Sequence, residues 1–327
     1  MKTLKRISLW FVVIIIVFLS GSSIYIKLAL PDVGPAPELK VEMTPERVAR
    51  GEYLANHVAV CIDCHSRRDW SRFSGPPADG TIGMGGDLFD QKFGFPGTYY
   101  AKNITPAGIS RYSDGELFRV ITTGVNKEGE AMFPVMPFHY YGQMDEEDIK
   151  SIIAYIHTLK PIQNEIPKSS SDFPMNFILN TIPHKGQPTK RPEKSDGVNY
   201  GKYLVNASSC IECHTKIDKG SLIAGTEFGG GREFPFPDGA IVRSGNISPD
   251  KKTGIGNWNK ETFLALFHAH SDSATLNTKL KPGDFNSIMP WTMYGKMTDE
   301  DLYAVFAYLM TVKPVQNSVV KFSPAKN

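Results

Sequence analysis

Cys61-Ile62-Asp63-Cys64-His65 and Cys210-Ile211-Glu212-Cys213-His214 contain all four cysteines of the chain, and their reading decides the fold. In a C-x-x-C-H segment the two thiols stand one helical turn apart, so both can add to the vinyl groups of one haem while the next residue offers imidazole to the iron. The rival uses of C-x-x-C are a zinc site and a redox dithiol. Zinc needs four ligands and leaves both histidines incidental; a dithiol needs a βαβ setting and no following histidine. Two copies, each with its histidine and no cysteine spare, point to two covalently bound haem c groups.

Haem is attached to such cysteines on the oxidising side of a membrane, so a targeting element is expected. Lys2, Lys5 and Arg6 precede twenty uncharged residues, Ile7 to Ile26, and Lys27 ends the run. About 20 residues at ~1.5 Å rise cross a ~30 Å hydrocarbon layer as one helix. The basic N-terminus then stays in the cytoplasm and everything after Pro31 emerges outside. A cleaved leader has a shorter apolar centre and small residues at the cut, whereas here the one small cluster, Ser20-Gly21-Ser22-Ser23, interrupts the run. Residues 1–30 therefore read as an uncleaved anchor in the cytoplasmic (inner) membrane, with the haem domains on the periplasmic side; cleavage would instead release them into the periplasm.

The net charge is +2, but four of the 36 basic and none of the 34 acidic residues lie in the first 30, which leaves the exported part at −2. A nearly neutral body lacks the basic face that nucleic acid demands. Hydrophobic residues at 41% and aromatics at 11% are enough for packed cores, and the exported length fits two domains.

An internal repeat gives the same count. Arg50-Gly51-Glu52-Tyr53-Leu54 returns as Tyr200-Gly201-Lys202-Tyr203-Leu204, and the cysteines return 149 residues on. Gly85-Gly86-Asp87 returns as Gly230-Gly231-Arg232, Asn103-Ile104-Thr105-Pro106 as Asn246-Ile247-Ser248-Pro249, and Met136-Pro137 as Met289-Pro290. The order of parts is kept while the spacing drifts by a few residues, which places insertions in loops. Residues 43–165 and 196–317 are read as two haem domains, joined by a linker over 166–195.

Each copy reads as helical. Thr44 caps and Pro45 opens a helix running toward Cys61, and Ser113 with Glu116 forms a capping box ahead of Leu117, Phe118 and Ile121. Ile149, Ile152, Ile153 and Ile156, matched by Leu302, Val305, Phe306 and Leu309, recur at i, i+3, i+4, i+7, with Asp145 and Thr298 as N-caps. Those apolar stripes should pack on the first helix of their copy, where Gly51 or Gly201 permits close approach. The Gly- and Pro-rich stretches after the cysteines read as loops over haem, and their glycines do not form a dinucleotide fingerprint.

The sixth iron ligand separates carrier from catalyst, because an iron closed on both sides admits no substrate. Met136 and Met289 occupy matching places before the last helix, each followed by a proline that stiffens the loop. A single methionine is ordinarily core filling, but duplication in a Met-Pro context favours ligation here. Met144 and Met297 directly precede helix caps and read as packing; Met132 has no counterpart and is the rival ligand in the first copy. His57, His139, His157 and His184 lack counterparts and read as surface or linker residues. His268 and His270, at the end of a helix, also read as surface, with replacement of Met289 as their alternative role.

Taken together, R/Y-G-x-Y-L, C-x-x-C-H, G-G, N-I-T/S-P, M-P and the A-Y-x-x-x-x-K-P ending resemble the class I cytochrome c fold in tandem. The arrangement is most similar to the dihaem and trihaem cytochrome c subunits that accept electrons from membrane-bound alcohol and related dehydrogenases. The trihaem members carry a third module without counterpart in these 327 residues. The resemblance implies a mainly α fold of two tandem class I cytochrome c domains behind an N-terminal transmembrane helix. It implies thioether bonds at Cys61, Cys64, Cys210 and Cys213, and iron ligands His65 with Met136 and His214 with Met289.

The function expected is single-electron relay from a dehydrogenase or quinol toward a terminal oxidase or soluble cytochrome, with no catalytic residue of its own. The alternative is a dihaem enzyme, a peroxidase or a thiosulfate-oxidising dehydrogenase. That would need an open iron position or an unusual ligand such as cysteine, and no cysteine remains.

Overall fold

Thr44 and Pro45 start the first helix as the sequence predicts: in the computed structural model Pro45–Tyr53 is helical and the Thr44 hydroxyl accepts the Arg47 amide at 3.2 Å. The structure describes residues 2–271, 278–281 and 283–325. Met1 of the expected anchor, and 272–277 and 282 of the expected second haem domain, lie outside the described residues.

The capping box forms as expected, with Ser113 and Glu116 exchanging side-chain and backbone bonds at the start of the Asp114–Thr123 helix. Asp145 caps Glu146–Thr158 and Thr298 caps Asp299–Leu309. In each half the last helix packs on the first, Glu146–Thr158 on Pro45–Tyr53 and Asp299–Leu309 on Gly197–Ala207. Ile149, Ile153, Leu302 and Leu309 are buried at these seams.

Backbone meets backbone at both crossings. A Cβ on Gly51 would lie 1.7 Å from the Ser151 carbonyl oxygen, and one on Gly201 would lie 1.8 Å from that of Ala304. Only glycine allows the approach, so these two residues set the depth at which the helices interlock.

The one-residue drift in the repeat has a physical form. Between Gly51 and Cys61 the first half carries one residue more than the second half has between Gly201 and Cys210. It is absorbed in the turn Leu54–Val58, which winds as π-helix, whereas Gly197–Ala207 is continuous α-helix. An inserted residue in a helix is accommodated by such a wider turn. The register of the buried face, and the aim of the cysteines beyond it, survive the insertion.

The stretches expected as plain loops carry short antiparallel strands. Leu88–Phe89, Gly97–Tyr100 and Ser170–Ser171 form one sheet in that order, with Leu88 opposite Tyr100 and Thr98 opposite Ser170. Glu233–Pro235, Ile241–Arg243 and Phe322–Ser323 form its counterpart, with Val242 between Phe234 and Phe322. The third strand of the first sheet comes from the segment read as linker. That segment is no free spacer, since the Thr189 hydroxyl also donates to the Gln143 carbonyl at 2.7 Å.

The two halves share one hydrophobic core and meet through reciprocal contacts, as surfaces related by a twofold do. Tyr53 donates to Asp301 at 2.7 Å and Tyr203 donates to Asp148 at 2.7 Å. The same hydroxyls accept the cap amides of Thr298 and Asp145 at 3.1 and 3.3 Å. Both carboxylates are only 1% exposed and lie in the first turn of their helices, where the dipole favours negative charge. Arg50 grips Asp148 at 3.0 and 2.8 Å, Arg191 bonds the same carboxylate, and Lys194 sits 3.3 Å from Asp301.

Lys5–Leu28, with mean hydropathy 2.4 and no residue buried against the rest of the protein, is long and apolar enough to cross a bilayer. Its end is tied to the 166–195 segment. Asn180 donates to the Ile26 carbonyl at 3.3 Å, and the Lys27 ammonium lies 5.3 Å from the Phe177 ring.

Replacing Gly51 by alanine should cost about 3 kcal/mol or more, because a rigid carbonyl blocks the new methyl group and the helices must separate. Gly197→Ala, at an open position of the Gly197–Ala207 helix, should be nearly neutral. Urea unfolding of the holoprotein followed by circular dichroism checks both.

Candidate functional site

Each C-x-x-C-H segment is held from three sides. Cys61–Cys64 and Cys210–Cys213 form single helical turns, so the paired thiols lie on one face. The residue before each turn, Val60 at φ 45° and Ser209 at φ 48°, is in the left-handed region, which is costly for a β-branched valine. That conformation is pinned by a tyrosine in each half: Tyr141 donates to the Ala59 carbonyl at 2.8 Å and Tyr294 to the Ser208 carbonyl at 3.1 Å.

The histidines are oriented alike. His65 Nδ1 is 2.7 Å from the Lys102 carbonyl and His214 Nδ1 is 2.8 Å from the Gly245 carbonyl. A carbonyl can only accept, so the proton is on Nδ1 and the Nε2 lone pair is left for a metal. Burial lowers the affinity of both rings for a second proton, and the carbonyl bonds offset this only in part. Both environments therefore favour the neutral imidazole.

The glycine clusters place the next strand of backbone against the motif. Gly85 N–H donates to the His65 carbonyl at 2.8 Å and Gly230 N–H to the His214 carbonyl at 2.7 Å. A Cβ on Gly85 would meet the Ala101 oxygen at 2.6 Å, and one on Gly230 the Gly245 carbon at 2.4 Å. Both glycines also have positive φ. Asn103 and Asn246 then tie this layer to the segment after the last helix, donating to the Ile162 and Val315 carbonyls at 2.8 and 2.7 Å. Thr105 and Ser248 donate to those asparagines at 2.7 Å.

Met136 and Met289 are half-buried and packed on the core at the start of their last loops. Their carbonyls accept the Phe138 and Trp291 amides at 2.8 Å. Met144 and Met297 are buried at the positions read as packing.

The acid inside each motif has a basic partner, but from different places. Asp63 faces Arg68, whose Nη1 is 3.5 Å away, while Arg68 binds Asp87 at 2.7 and 2.6 Å. The Arg68 guanidinium also lies over Trp70 at 4.5 Å. Burial outweighs Arg68 and pushes the Asp63 carboxyl up to about 6. In the second half the acid is Glu212 and the guanidinium is that of Arg232, 3.4 Å away. Burial of Glu212 is more than offset by donation from His139 at 3.2 Å and Tyr140 at 2.8 Å, which keeps it below the usual carboxylate range.

Several histidines are not where the sequence reading put them. His139 reaches across to Glu212, and His57 is half-buried with Nδ1 3.1 Å from the Met293 carbonyl. His270 stacks between Phe73 of the first half and Trp291 of the second. These three sit where the halves meet, which a repeat with no cross-half signal does not reveal. His184 and His268 are exposed as read, and His157 pairs with Asp114 at 2.9 Å.

Two thiols on one helical face beside a neutral imidazole with its Nε2 unengaged fit a covalently attached haem. Among the described residues no group of three or more His, Cys, Asp or Glu converges as a closed metal site, which is what the zinc reading requires.

Comparison with known proteins agrees. Residues 198–313 match the Cytochrome c family and form a cytochrome c domain, which implies covalently bound haem c. The chain is 27% identical to the fructose dehydrogenase cytochrome subunit of Gluconobacter japonicus, over 81% of this chain and 52% of that protein. It is 25% identical to the cytochrome c subunit of the quinone alcohol dehydrogenase of Gluconacetobacter polyoxogenes, over 83% and 57%. It is also 25% identical to a diheme cytochrome c-type protein of Cereibacter sphaeroides, over 86% and 90%. The chain thus spans about half the length of the dehydrogenase subunits it matches.

Replacing Arg68 by methionine should cost about 3 to 5 kcal/mol, since it strands the buried Asp63 and the partly buried Asp87 carboxylates. Denaturation at neutral pH measures the loss, and the exposed-pair variant Arg111→Met serves as the near-neutral comparison.

Proposed function

We propose that the chain is a membrane-anchored dihaem c-type cytochrome that relays single electrons. It would accept them from a membrane dehydrogenase or quinol donor and pass them toward a terminal oxidase or soluble cytochrome. Residues 43–165 and 196–317 would each hold one haem, through Cys61, Cys64 and His65 in the first and Cys210, Cys213 and His214 in the second. Met136 and Met289 would complete the two irons. The observation that carries this reading is the duplicated histidine geometry, Nδ1 committed to a backbone carbonyl in both halves.

Haem c, when bound, supplies a one-electron couple whose potential methionine ligation raises relative to two histidines. The chain does the rest. It holds each ring by two thioethers, fixes the imidazole plane through a carbonyl, and joins the halves so that they move as one body. The relatives named as dehydrogenase cytochrome subunits support a dehydrogenase as donor. Lys5–Leu28, with its end fastened to the 166–195 segment, supports an anchor that holds both halves at the outer face of the cytoplasmic membrane.

The purified chain should contain two haems by pyridine haemochrome assay, and Cys210→Ser with Cys213→Ser should leave one covalently bound. Met136→Ala and Met289→Ala should each remove about half of the sulfur-to-iron charge-transfer absorbance of the oxidised protein. Two intact bands in both variants would refute methionine ligation.

In cell fractions the haem-stained chain should stay with the membrane through high salt and alkaline carbonate, and detergent alone should release it. Recovery in the carbonate supernatant would remove the anchor from the reading.

A further inference from the structure

The loop carrying Met289 is gripped by the other half of the molecule. Ser74, 2% exposed, donates its hydroxyl to the Met289 carbonyl at 2.6 Å and accepts the Trp291 amide at 3.0 Å. Its own amide donates to Asn286 Oδ1 at 2.9 Å. Asn286 in turn donates to the Trp70 carbonyl at 3.3 Å and accepts the Ser287 amide at 2.7 Å, and the Ser287 hydroxyl accepts the Met289 amide at 3.2 Å. Both backbone groups of Met289 are therefore held by a network that begins in the first half.

Two more features act on the same loop. Its backbone pairs across the halves, Phe73 N–H to the Thr278 carbonyl at 3.1 Å and Leu280 N–H to the Ser71 carbonyl at 2.9 Å. Ser74 also holds φ 65°, a strained conformation for a residue other than glycine, which persists only where surrounding contacts over-determine it.

The arrangement has one direction. The Met136 carbonyl accepts the Phe138 amide of its own half, and no described hydrogen bond from the second half reaches Met136. The helix after it, Phe138–Tyr141, does cross to the second half, at Glu212 through His139 and Tyr140 and at Asn206, which donates to the Tyr140 carbonyl at 3.1 Å, but these contacts leave the backbone of Met136 itself untouched.

We propose that Ser74 is a positioning residue for the second haem site: from the first half it fixes the loop that presents Met289 and so selectively strengthens sulfur ligation there. The proposal rests on the methionine reading above. The Met289 carbonyl and the Trp291 amide still hold each other at 2.8 Å when the hydroxyl is removed, but both lose the bond that ties them to the first half, a loss whose usual size corresponds to about tenfold in an equilibrium constant. The loop then releases the sulfur more readily, and an added ligand competes better for that iron.

The test uses the haem-loaded full chain in detergent. Met136→Ala leaves only the second band, and Met289→Ala only the first, so each site is read alone. Ser74→Gly is the primary variant, because it deletes the hydroxyl while suiting the left-handed backbone; Asn286→Ala removes the other arm of the network. In the Met136→Ala background, Ser74→Gly should let imidazole displace the charge-transfer band at about tenfold lower concentration and should lower the reduction potential. In the Met289→Ala background it should change neither.

An equal response at both sites, or none at the second, would overturn the positioning role while leaving methionine ligation intact. Loss of no band in Met289→Ala would fail the ligation itself, and the role of Ser74 with it.

Discussion

Everything in this molecule is hung on two places where one helix passes another with no side chain between them. At Gly51 against Ser151, and at Gly201 against Ala304, backbone packs on backbone. The first helix of each half leads toward the cysteines, and the last helix follows the methionine loop after one short helix. Depth at the crossing therefore sets how far the two ends of each site stand from one another. Hydrophobic burial along the seam supplies the cohesion, but it is non-directional and would tolerate a slide. The glycine contact gives it a register.

The second level of organisation lies between the halves. Asp148 and Asp301 would each be an expensive charge to bury alone. Each is approached from three sides: by a residue of its own first helix, Arg50 or Tyr200; by the connecting segment, Arg191 or Lys194; and by a tyrosine from the opposite half, although both tyrosines at Asp301 bond Oδ2 and its Oδ1 has only the Lys194 ammonium nearby. The cross-half tyrosine also takes the free amide of the helix cap. The same group thus satisfies a helix terminus and joins the two halves, so neither half has a complete cap on its last helix without the other.

Much of this was legible in the chain. The cysteine motifs, the repeat, the caps at Thr44, Ser113, Asp145 and Thr298, and the i, i+3, i+4, i+7 stripes are local signals, and local hydrogen bonds and burial honour them. What stayed hidden depends on partners far away in sequence. Tyr53 and Tyr203 stand out as a repeated position, but what their hydroxyls bond is hidden until the second half is placed. His57, His139 and His270 carry no neighbouring pattern that would place them where the halves meet. The glycine clusters show no dinucleotide fingerprint in sequence, and their task of bringing an amide to the histidine carbonyl needs the fold to be seen. Ser170–Ser171 reads as polar linker because strand pairing of two residues leaves no periodicity to detect.

A ring of two identical subunits must treat its members alike, whatever it builds on one interface it builds on both. Here the duplicated unit is covalently continuous, so the copies have drifted separately: Arg68 on one side answers Arg232 on the other, and a wide turn at Leu54–Val58 answers a regular one. The serine clamp is the same freedom used at a working part. A chain built this way possesses a front and a back, which two equal subunits cannot have.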